Sequence, residues 1–284
     1  MQRPRKERIM LVNLSGVLKD AREGRYAVGL FNTTDTDMLE AVISAAEELE
    51  SPVIIGTAEV LLPYGELKLI APAMIAAAKR AKVPVVVHFD HGLTFGRCME
   101  ALDLGFSSIM FDGSLGSFRD NIAQTAEMVR LAHGRGATVE GEIGHVGEAS
   151  GRDNENTDGY TRAADALEFA EKTGVDALAV AIGTAHGTYK TKPRLDFERL
   201  AGIREAVDVP LVLHGGSGLS DEDFRKAIAG GISKINIFTD LCAAGERAMR
   251  DGIGQKLSYL GIRENRVRYI KEAVEKKIRL FKGV

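Results

Sequence analysis

The stretch VVVHFDHG, residues 85–92, begins as a buried strand and ends in a cluster of polar side chains. Three valines after Pro84 are typical of a parallel sheet with both faces covered, because strands in such a sheet have no solvent-facing side. His88, Asp90 and His91 then stand where the strand is expected to end. This pattern predicts a sheet whose carboxyl edge carries chemically reactive groups.

Seven more β-rich apolar runs resemble this one, and helix-like segments separate them. The eight predicted strands are 26–32, 52–57, 83–90, 107–113, 138–144, 177–183, 210–216 and 234–240. Strands that alternate with helices indicate a parallel sheet, and eight such units in a chain of 284 residues favour a (β/α)8 TIM barrel. A doubly wound open sheet is the alternative, but it favours a glycine-rich loop after the first strand, and FNTTDTDM (residues 31–38) contains no glycine.

The predicted organisation is one barrel domain over residues 1–284, with residues 243–284 as a C-terminal helical extension. Within that extension, apolar residues recur every three or four positions over residues 263–282, which predicts an amphipathic helix. We expect this helix to dock on the barrel or on a second subunit and to expose its basic face.

Composition limits the class of protein. Hydrophobic residues make up 45% of the chain and charged residues 27%, which is typical of a globular protein. The sequence contains no apolar run long enough to span a membrane and no secretory pattern at its start, so we expect a cytoplasmic protein without a membrane partner. A net charge of -3 with scattered basic residues disfavours nucleic acid as a partner. Cys98 and Cys242 lack metal-site or disulfide spacing.

Polar residues collect at the predicted carboxyl ends of the strands, which meet around one mouth in a barrel. The residues at or just beyond these ends are Asn32, His88, Asp90, His91, Asp112, Glu142, His186, His214 and Asn236. Four of the 6 histidines in the chain belong to this group. The barrel mouth is therefore the predicted active site.

Three histidines from separate strands can converge on one divalent metal and leave a position open for substrate. His91, His186 and His214 are the candidates, although a single histidine at such a position is more often a structural residue. Strand alternation places Asp90 on the opposite side of the pleat from His91, so Asp90 is the candidate for proton transfer. Asp112 and Glu142 could bind a second cation, orient the first set of ligands, or cap the following helices.

Two loops predict a phosphate site. HGGSG (residues 214–218) follows the seventh strand and NIFT (residues 236–239) follows the eighth, where barrels frequently bind phosphate. Gly215, Gly216 and Gly218 would let the backbone approach an anion, and Ser217 and Thr239 offer hydroxyl donors.

A metal, a carboxylate and a phosphate cradle together suit carbon–carbon cleavage in a phosphorylated ketose. The metal would polarise the ketone and stabilise the enediolate, while Asp90 would accept a hydroxyl proton. An aldolase that uses a Schiff base needs a lysine instead. The sixth strand has none, and Lys234 is expected at the end of its strand far from the mouth.

HFDHG, FDGS, VEGEIG, AIGTAHGTY, LVLHGGSG and KINIFTD occur in this order, and together they resemble the class II, metal-dependent fructose-bisphosphate aldolases, particularly the branch similar to tagatose-bisphosphate aldolase. The resemblance implies zinc on His91, His186 and His214, a second cation position near Asp112 and Glu142, and Asp90 as the catalytic acid/base. It also implies a homodimer or homotetramer and a monovalent cation that assists phosphate binding. The residues predicted to bind the substrate, including its dihydroxyacetone phosphate part, are Asn32, Gly187, Gly215, Gly216, Ser217, Asn236, Ile237, Phe238 and Thr239.

The sequence departs from this family in two places. Family members that cleave bisphosphates carry a GGxED stretch whose glutamate exchanges a proton, whereas this chain has EIGHVGEASGRDNENTDG from Glu142 onward. Glu148 is the predicted substitute, against the alternative of a plain polar loop. A DPRKY-like segment is replaced by GIRENRVRY (residues 261–269), so the aldehyde half of the substrate is not predicted.

Two other functions remain open at this point. One is a subunit of the same fold that binds a sugar phosphate, or stabilises a partner, without catalysis. The other is a metal-dependent hydrolase in which a metal-activated water attacks an ester or amide. The complete set of metal-ligand candidates disfavours the first, and the phosphate loops disfavour the second.

Overall fold

Eight parallel strands form a closed barrel in the computed structural model, which describes residues 10–147, 159–189 and 191–283. Nine strands are described in all, namely β1 (Leu11–Val12), β2 (Val28–Asn32), β3 (Val53–Ala58), β4 (Val85–Gly92), β5 (Ser108–Phe111), β6 (Thr138–Ile143), β7 (Ala177–Val180), β8 (Leu211–Leu213) and β9 (Ile232–Ile237). The barrel consists of β2 to β9, and the pairing of β4 with β5 closes it. The (β/α)8 prediction is confirmed, and the open-sheet alternative is excluded because a closed ring has no edge strands.

Helices lie between the strands, as the alternating pattern predicted. They are α1 (Leu14–Gly24), α2 (Thr36–Glu48), α3 (Leu67–Arg80), α4 (Phe95–Asp103), α5 (Phe118–His133), α6 (Ala163–Thr173), α7 (Phe197–Ala206), α8 (Asp221–Ala229), α9 (Thr239–Gly254) and α10 (Tyr259–Lys282). A 3-10 segment, Glu59–Tyr64, follows β3. No described helix combines the length and the apolar character that crossing a bilayer requires.

Several strands end earlier than the sequence indicated. The predicted strands 107–113, 177–183 and 210–216 end at Phe111, Val180 and Leu213. Their polar or glycine-rich last residues leave the ladder and form the loops at the mouth. The length of each strand was therefore overestimated from its run of β-forming residues. In contrast, β4 continues to Gly92, two residues beyond its predicted end.

The barrel interior is apolar at one end and polar at the other. Near the amino ends of the strands, Leu30, Ile54 and Val86 pack in one buried cluster with residues of α1, a helix that the sequence interpretation did not include. Toward the carboxyl ends, the inward positions carry polar side chains. These are Asn32, His88, Asp90, Glu140, Glu142, His214, Lys234 and Asn236, all of them buried. The fold therefore concentrates its buried polar groups beneath the mouth.

Residues 243–284, the predicted C-terminal extension, cover most of α9 and all of α10, and these two helices pack against each other. Ile270, Val274, Ile278 and Phe281 of α10 are buried, which confirms the predicted amphipathic helix. α10 packs also on α2, and the backbone N–H of Ala27, just before β2, donates to the carbonyl of Phe281 at 3.0 Å. The helix thus docks on the barrel.

Candidate active site

A cavity of about 360 Å³ opens at the carboxyl ends of the strands. Its lining includes eight of the nine predicted substrate-binding residues together with Asp90, His91, Asp112 and His186. Gly216 is the exception; it is buried, and its backbone N–H donates to the carbonyl of Asn236 at 3.2 Å. On the side of β3 to β5 the wall is largely apolar, formed by Ala58, Val60, Leu61, Leu93 and Leu115.

The end of β4 departs from regular strand geometry at His91. The pairing with β5 shifts register between Phe89 and Gly92, and His91 has a φ of 41°, in the left-handed region. Regular alternation would turn His91 to the side of the strand opposite Asp90, toward the surrounding helices. The bulge instead directs His91 into the cavity that Asp90 also lines, because a bulged residue leaves the ladder and re-aims its side chain.

The three predicted zinc ligands lie together. Potential ligand atoms of His91, His186 and His214 are all within 4.8 Å of one another. His214 Nδ1 lies 2.7 Å from His91 Nε2, and His186 Nε2 is buried without a hydrogen-bond partner among the described residues. Burial, followed by the neighbouring His91 and His214, lowers the pKa of His186 to about 3, which favours the neutral imidazole that a metal requires.

A second group of possible ligands shares His91. Asp112 and Glu142 each offer a carboxylate oxygen within 4.8 Å of a ring nitrogen of His91. Asp112 Oδ2 lies 3.0 Å from His91 Nδ1, while Glu142 Oε2 is buried and has no hydrogen-bond partner within the described part of the chain. Burial, followed by the nearby Asp112, raises the pKa of Glu142 to about 8. Neither residue is the N-cap of the next described helix, because the N-caps of α5 and α6 are Ser117 and Arg162.

The donor set fits a divalent cation. Asp112 accepts from Nδ1 of His91, so Nε2 is the nitrogen of that ring that faces His214 Nδ1, at 2.7 Å. Burial would lower the pKa of His91, but Asp90 and Asp112 outweigh it and raise the pKa to about 9. Without a metal ion, a proton must lie between these two nitrogens, and the raised pKa of His91 supplies it; a bound cation would take the place of that proton. The partnerless nitrogen of His186 completes a set of three imidazoles suited to zinc.

Asp90 is held by two amides. Asn32 Nδ2 donates to Asp90 Oδ2 at 2.7 Å, and Asn236 Nδ2 donates to Asp90 Oδ1 at 3.0 Å. Burial would raise the pKa of Asp90, but electrostatic interactions with His91, then with His214 and Lys234, outweigh it and keep the pKa below its usual value. Asp90 is therefore an ionised acceptor at the wall of the cavity.

The two predicted phosphate loops lie side by side. Ser217 Oγ accepts from the backbone N–H groups of Phe238 and Asp240, at 3.2 and 3.3 Å. The hydroxyl of Tyr189 accepts from Ala185 N and donates to the carbonyl of Gly215, both at 2.8 Å. α9 begins at Thr239 on the cavity wall, and its N-cap residue makes no side-chain capping bond. A helix N-terminus beside a glycine-rich turn is suited to bind an anion.

The sequence also singled out His88 and Glu148. His88, which has the same strand parity as Asp90 but lies deeper in the strand, is fully buried inside the barrel, and its Nδ1 lies 2.8 Å from Ser108 Oγ. Glu148, predicted to transfer a proton, lies outside the described residues.

The position predicted for Lys234 was wrong. It occupies the middle of β9, its side chain is fully buried, and its Nζ lies 2.7 Å from Asn236 Oδ1. Schiff-base chemistry remains disfavoured for a different reason, because the amine is enclosed by Asn236 and Glu140 and does not line the cavity.

Two polar residues near the site were missed by the sequence interpretation. Glu140 Oε1 lies 2.8 Å from His214 Nε2, and its other oxygen lies 2.8 Å from Lys234 Nζ. The alternation of side chains along β6 could have identified Glu140, since Glu140 and Glu142 lie two residues apart and face the same side of the strand. The second residue is His145, which follows Gly144 just after the end of β6 and also lines the cavity.

Comparison with known proteins agrees with this geometry. The family model described as fructose-bisphosphate aldolase class-II matches residues 12–284. A protein named fructose-bisphosphate aldolase from Staphylococcus aureus is 38% identical over 282 residues, covering 95% of this chain and 97% of the relative. The uncharacterized protein YdjI of Escherichia coli is 42% identical over 275 residues, covering 96% and 98%.

Solved structures show the same relationship. The crystal structure titled as the YdjI aldolase from Escherichia coli superposes with a TM-score of 0.86 at 39% identity, over 96% of this chain and 97% of that one. A putative fructose-1,6-bisphosphate aldolase from Coccidioides immitis gives a TM-score of 0.85 at 31% identity, over 94% of each chain. The chain belongs to the class-II fructose-bisphosphate aldolase family, and it is a lyase of the aldolase type.

Proposed function

We propose that this chain reversibly cleaves a ketose phosphate into dihydroxyacetone phosphate and an aldehyde, with zinc on His91, His186 and His214 and with Asp90 as the acid/base. One observation carries the proposal, namely that three imidazoles within 4.8 Å of one another, an ionised buried aspartate and the N-terminus of α9 meet at one cavity. When bound, zinc supplies a Lewis acid that polarises the ketone and stabilises the charge developing on its oxygen.

The chain's own residues divide the remaining work. Gly187, Gly215, Ser217 and Thr239 on the cavity wall provide backbone and hydroxyl donors for the phosphate. Asp90 accepts the proton from the substrate hydroxyl next to the breaking bond, and it returns that proton in the condensation direction. Asn32 and Asn236 hold this carboxylate by donating to its two oxygens, which keeps it oriented during the proton transfer.

Several finer features belong to the same proposal. Asp112 and Glu142 would hold a second divalent cation that shares His91, and a monovalent cation would assist at the phosphate. Glu148 would exchange the proton at the dihydroxyacetone carbon. The working unit is a single barrel domain with residues 243–284 as its extension, assembled as a homodimer or homotetramer.

Gly215→Ala is expected to raise KM for phosphorylated substrates by about tenfold or more, equivalent to about 1.4 kcal/mol or more of lost binding. Gly215 has a φ of +64°, and an added Cβ would lie 2.3 Å from the carbonyl oxygen of Ala185, so the loop must move. Steady-state kinetics would measure the change. Gly202→Ala on α7 is the control, because nothing lies within 4 Å of its added Cβ. An unchanged KM in Gly215→Ala would contradict the assignment of this loop to phosphate binding.

Proton exchange tests the proposal against a binding-only subunit. Dihydroxyacetone phosphate incubated with the enzyme in D₂O is expected to exchange one hydroxymethyl proton, which proton NMR detects, and chelation of zinc is expected to stop the exchange. Binding of dihydroxyacetone phosphate without any exchange would favour the non-catalytic alternative instead.

A further inference from the structure

Beneath the predicted metal and proton-transfer residues lies a buried ion pair that the proposed reaction does not itself require. Lys234 and Glu140 both have side-chain exposures of 0%, and 2.8 Å separates Lys234 Nζ from Glu140 Oε2. The contact is an ion pair without an aligned hydrogen bond, since Glu140 Oε2 has no hydrogen-bond partner among the described residues. Burying such a pair in place of apolar residues often brings little or no net stability. The pair therefore needs another explanation.

Each member of the pair contacts a different part of the site. Glu140 Oε1 lies 2.8 Å from Nε2 of His214, and Lys234 Nζ donates to Oδ1 of Asn236 at 2.7 Å. Asn236 Nδ2 donates in turn to Asp90 Oδ1 at 3.0 Å. One ion pair thus touches both a predicted metal ligand and the support of the predicted acid/base.

We propose that the Lys234–Glu140 pair is a positioning element that makes Nδ1 the metal-binding nitrogen of His214 and orients the Asn236 amide toward Asp90. This inference rests on the proposed function, because it takes His214 as a metal ligand.

The chemistry of the groups dictates both orientations. A carboxylate that faces a lysine only accepts hydrogen bonds, so the ring nitrogen of His214 next to Glu140 must carry the proton. The lone pair is then on Nδ1, which faces His91 Nε2 at 2.7 Å. A lysine only donates, so the amide oxygen of Asn236 must face Lys234 and the amide nitrogen must face Asp90.

Glu140→Gln, Lys234→Met and the double variant test the pair, with zinc affinity measured by competition against a chromophoric chelator. Each single variant leaves one buried charge without its partner, so each is expected to melt at a lower temperature than the wild type. The double variant removes both charges and is expected to recover most of that stability. Its zinc affinity is nevertheless expected to stay about 10–100-fold weaker, because a glutamine can either donate or accept and does not select one tautomer.

A matched exposed pair provides the control. Lys226 and Glu222 on α8 form an ion pair of 2.6 Å with side-chain exposures of 54% and 70%. Lys226→Met with Glu222→Gln is expected to leave zinc affinity and melting temperature unchanged. A stable Glu140→Gln, Lys234→Met variant that binds zinc as tightly as the wild type would overturn the proposal, because the pair would then be only structural.

A second measurement uses the wild-type enzyme and does not depend on whether any variant folds. Long-range ¹H–¹⁵N correlation of ¹⁵N-histidine-labelled protein reports which nitrogen of each ring carries a proton. His214 is expected to be protonated at Nε2 both with zinc and after chelation, and protonation at Nδ1 would overturn the proposal. Neither readout uses a substrate, so a failure here is distinguishable from a failure of the aldolase proposal, which would appear as inactivity of the wild type.

Discussion

Asp90→Ala is expected to lower kcat for ketose phosphate cleavage by about 10²–10⁴-fold, which is the usual contribution of a positioned acid/base. The physical reason is that no other carboxylate receives amide hydrogen bonds from both Asn32 and Asn236 at the cavity wall among the residues described. Without Asp90, the hydroxyl proton has no acceptor in position. Steady-state assays of released dihydroxyacetone phosphate at saturating substrate would measure the effect.

Two controls separate proton transfer from loss of the metal. Zinc content of Asp90→Ala, measured by atomic absorption, is expected to match that of the wild type, because the three imidazoles remain. Asp103→Ala removes an exposed carboxylate at the end of α4 that pairs with Arg135, and it is expected to keep full activity. Turnover by Asp90→Ala close to that of the wild type would refute the acid/base assignment.

His186→Ala is expected to lose zinc and, with it, about a thousandfold or more in kcat/KM. This magnitude follows from the several kcal/mol that a Lewis acid contributes and from about 1.4 kcal/mol for each factor of ten. His186 is the most informative ligand to remove, because with the residues that the structure describes its buried Nε2 makes no hydrogen bond that could give the side chain a structural role. Metal analysis and kinetics on the same preparation would measure both effects.

His133→Ala is the matched control for this variant. His133 is an exposed histidine at the end of α5 whose Nε2 lies 2.8 Å from Asp176 Oδ2, remote from the cavity. Its removal is expected to leave zinc content and kcat/KM unchanged. If His186→Ala retained stoichiometric zinc and activity, His186 would not be a ligand.

The repeating pattern of the chain was sufficient to predict the barrel. Near-continuous β-branched runs such as VVVHF favour strands covered on both faces, and eight of them alternating with helices leave few arrangements. The pattern did not predict α1. The sequence of this helix does not show that it packs across the amino ends of the barrel strands rather than around the outside of the barrel. The strand ends were also misjudged, since the residues that form the mouth loops resemble strand residues in composition.

The site could be predicted where residue type and strand position coincide. His91, His186 and His214 follow strands, and strand ends meet in a barrel, so their proximity follows from topology. The bulge that directs His91 into the cavity depends on a local backbone conformation, with φ of 41°, that residue identity does not specify. The position of Lys234 was predicted wrongly and Glu140 was missed, because a buried ion pair inside the barrel violates the expectation that charged residues lie on the protein surface.

The most direct test of the proposed function measures dihydroxyacetone phosphate released from a panel of ketose phosphates before chelation, after chelation and after zinc is restored. The proposal predicts release from at least one member of the panel, loss of release after chelation, and recovery on adding zinc. Aldol cleavage that persists at full rate in the chelated enzyme, with zinc absent by metal analysis, would contradict it.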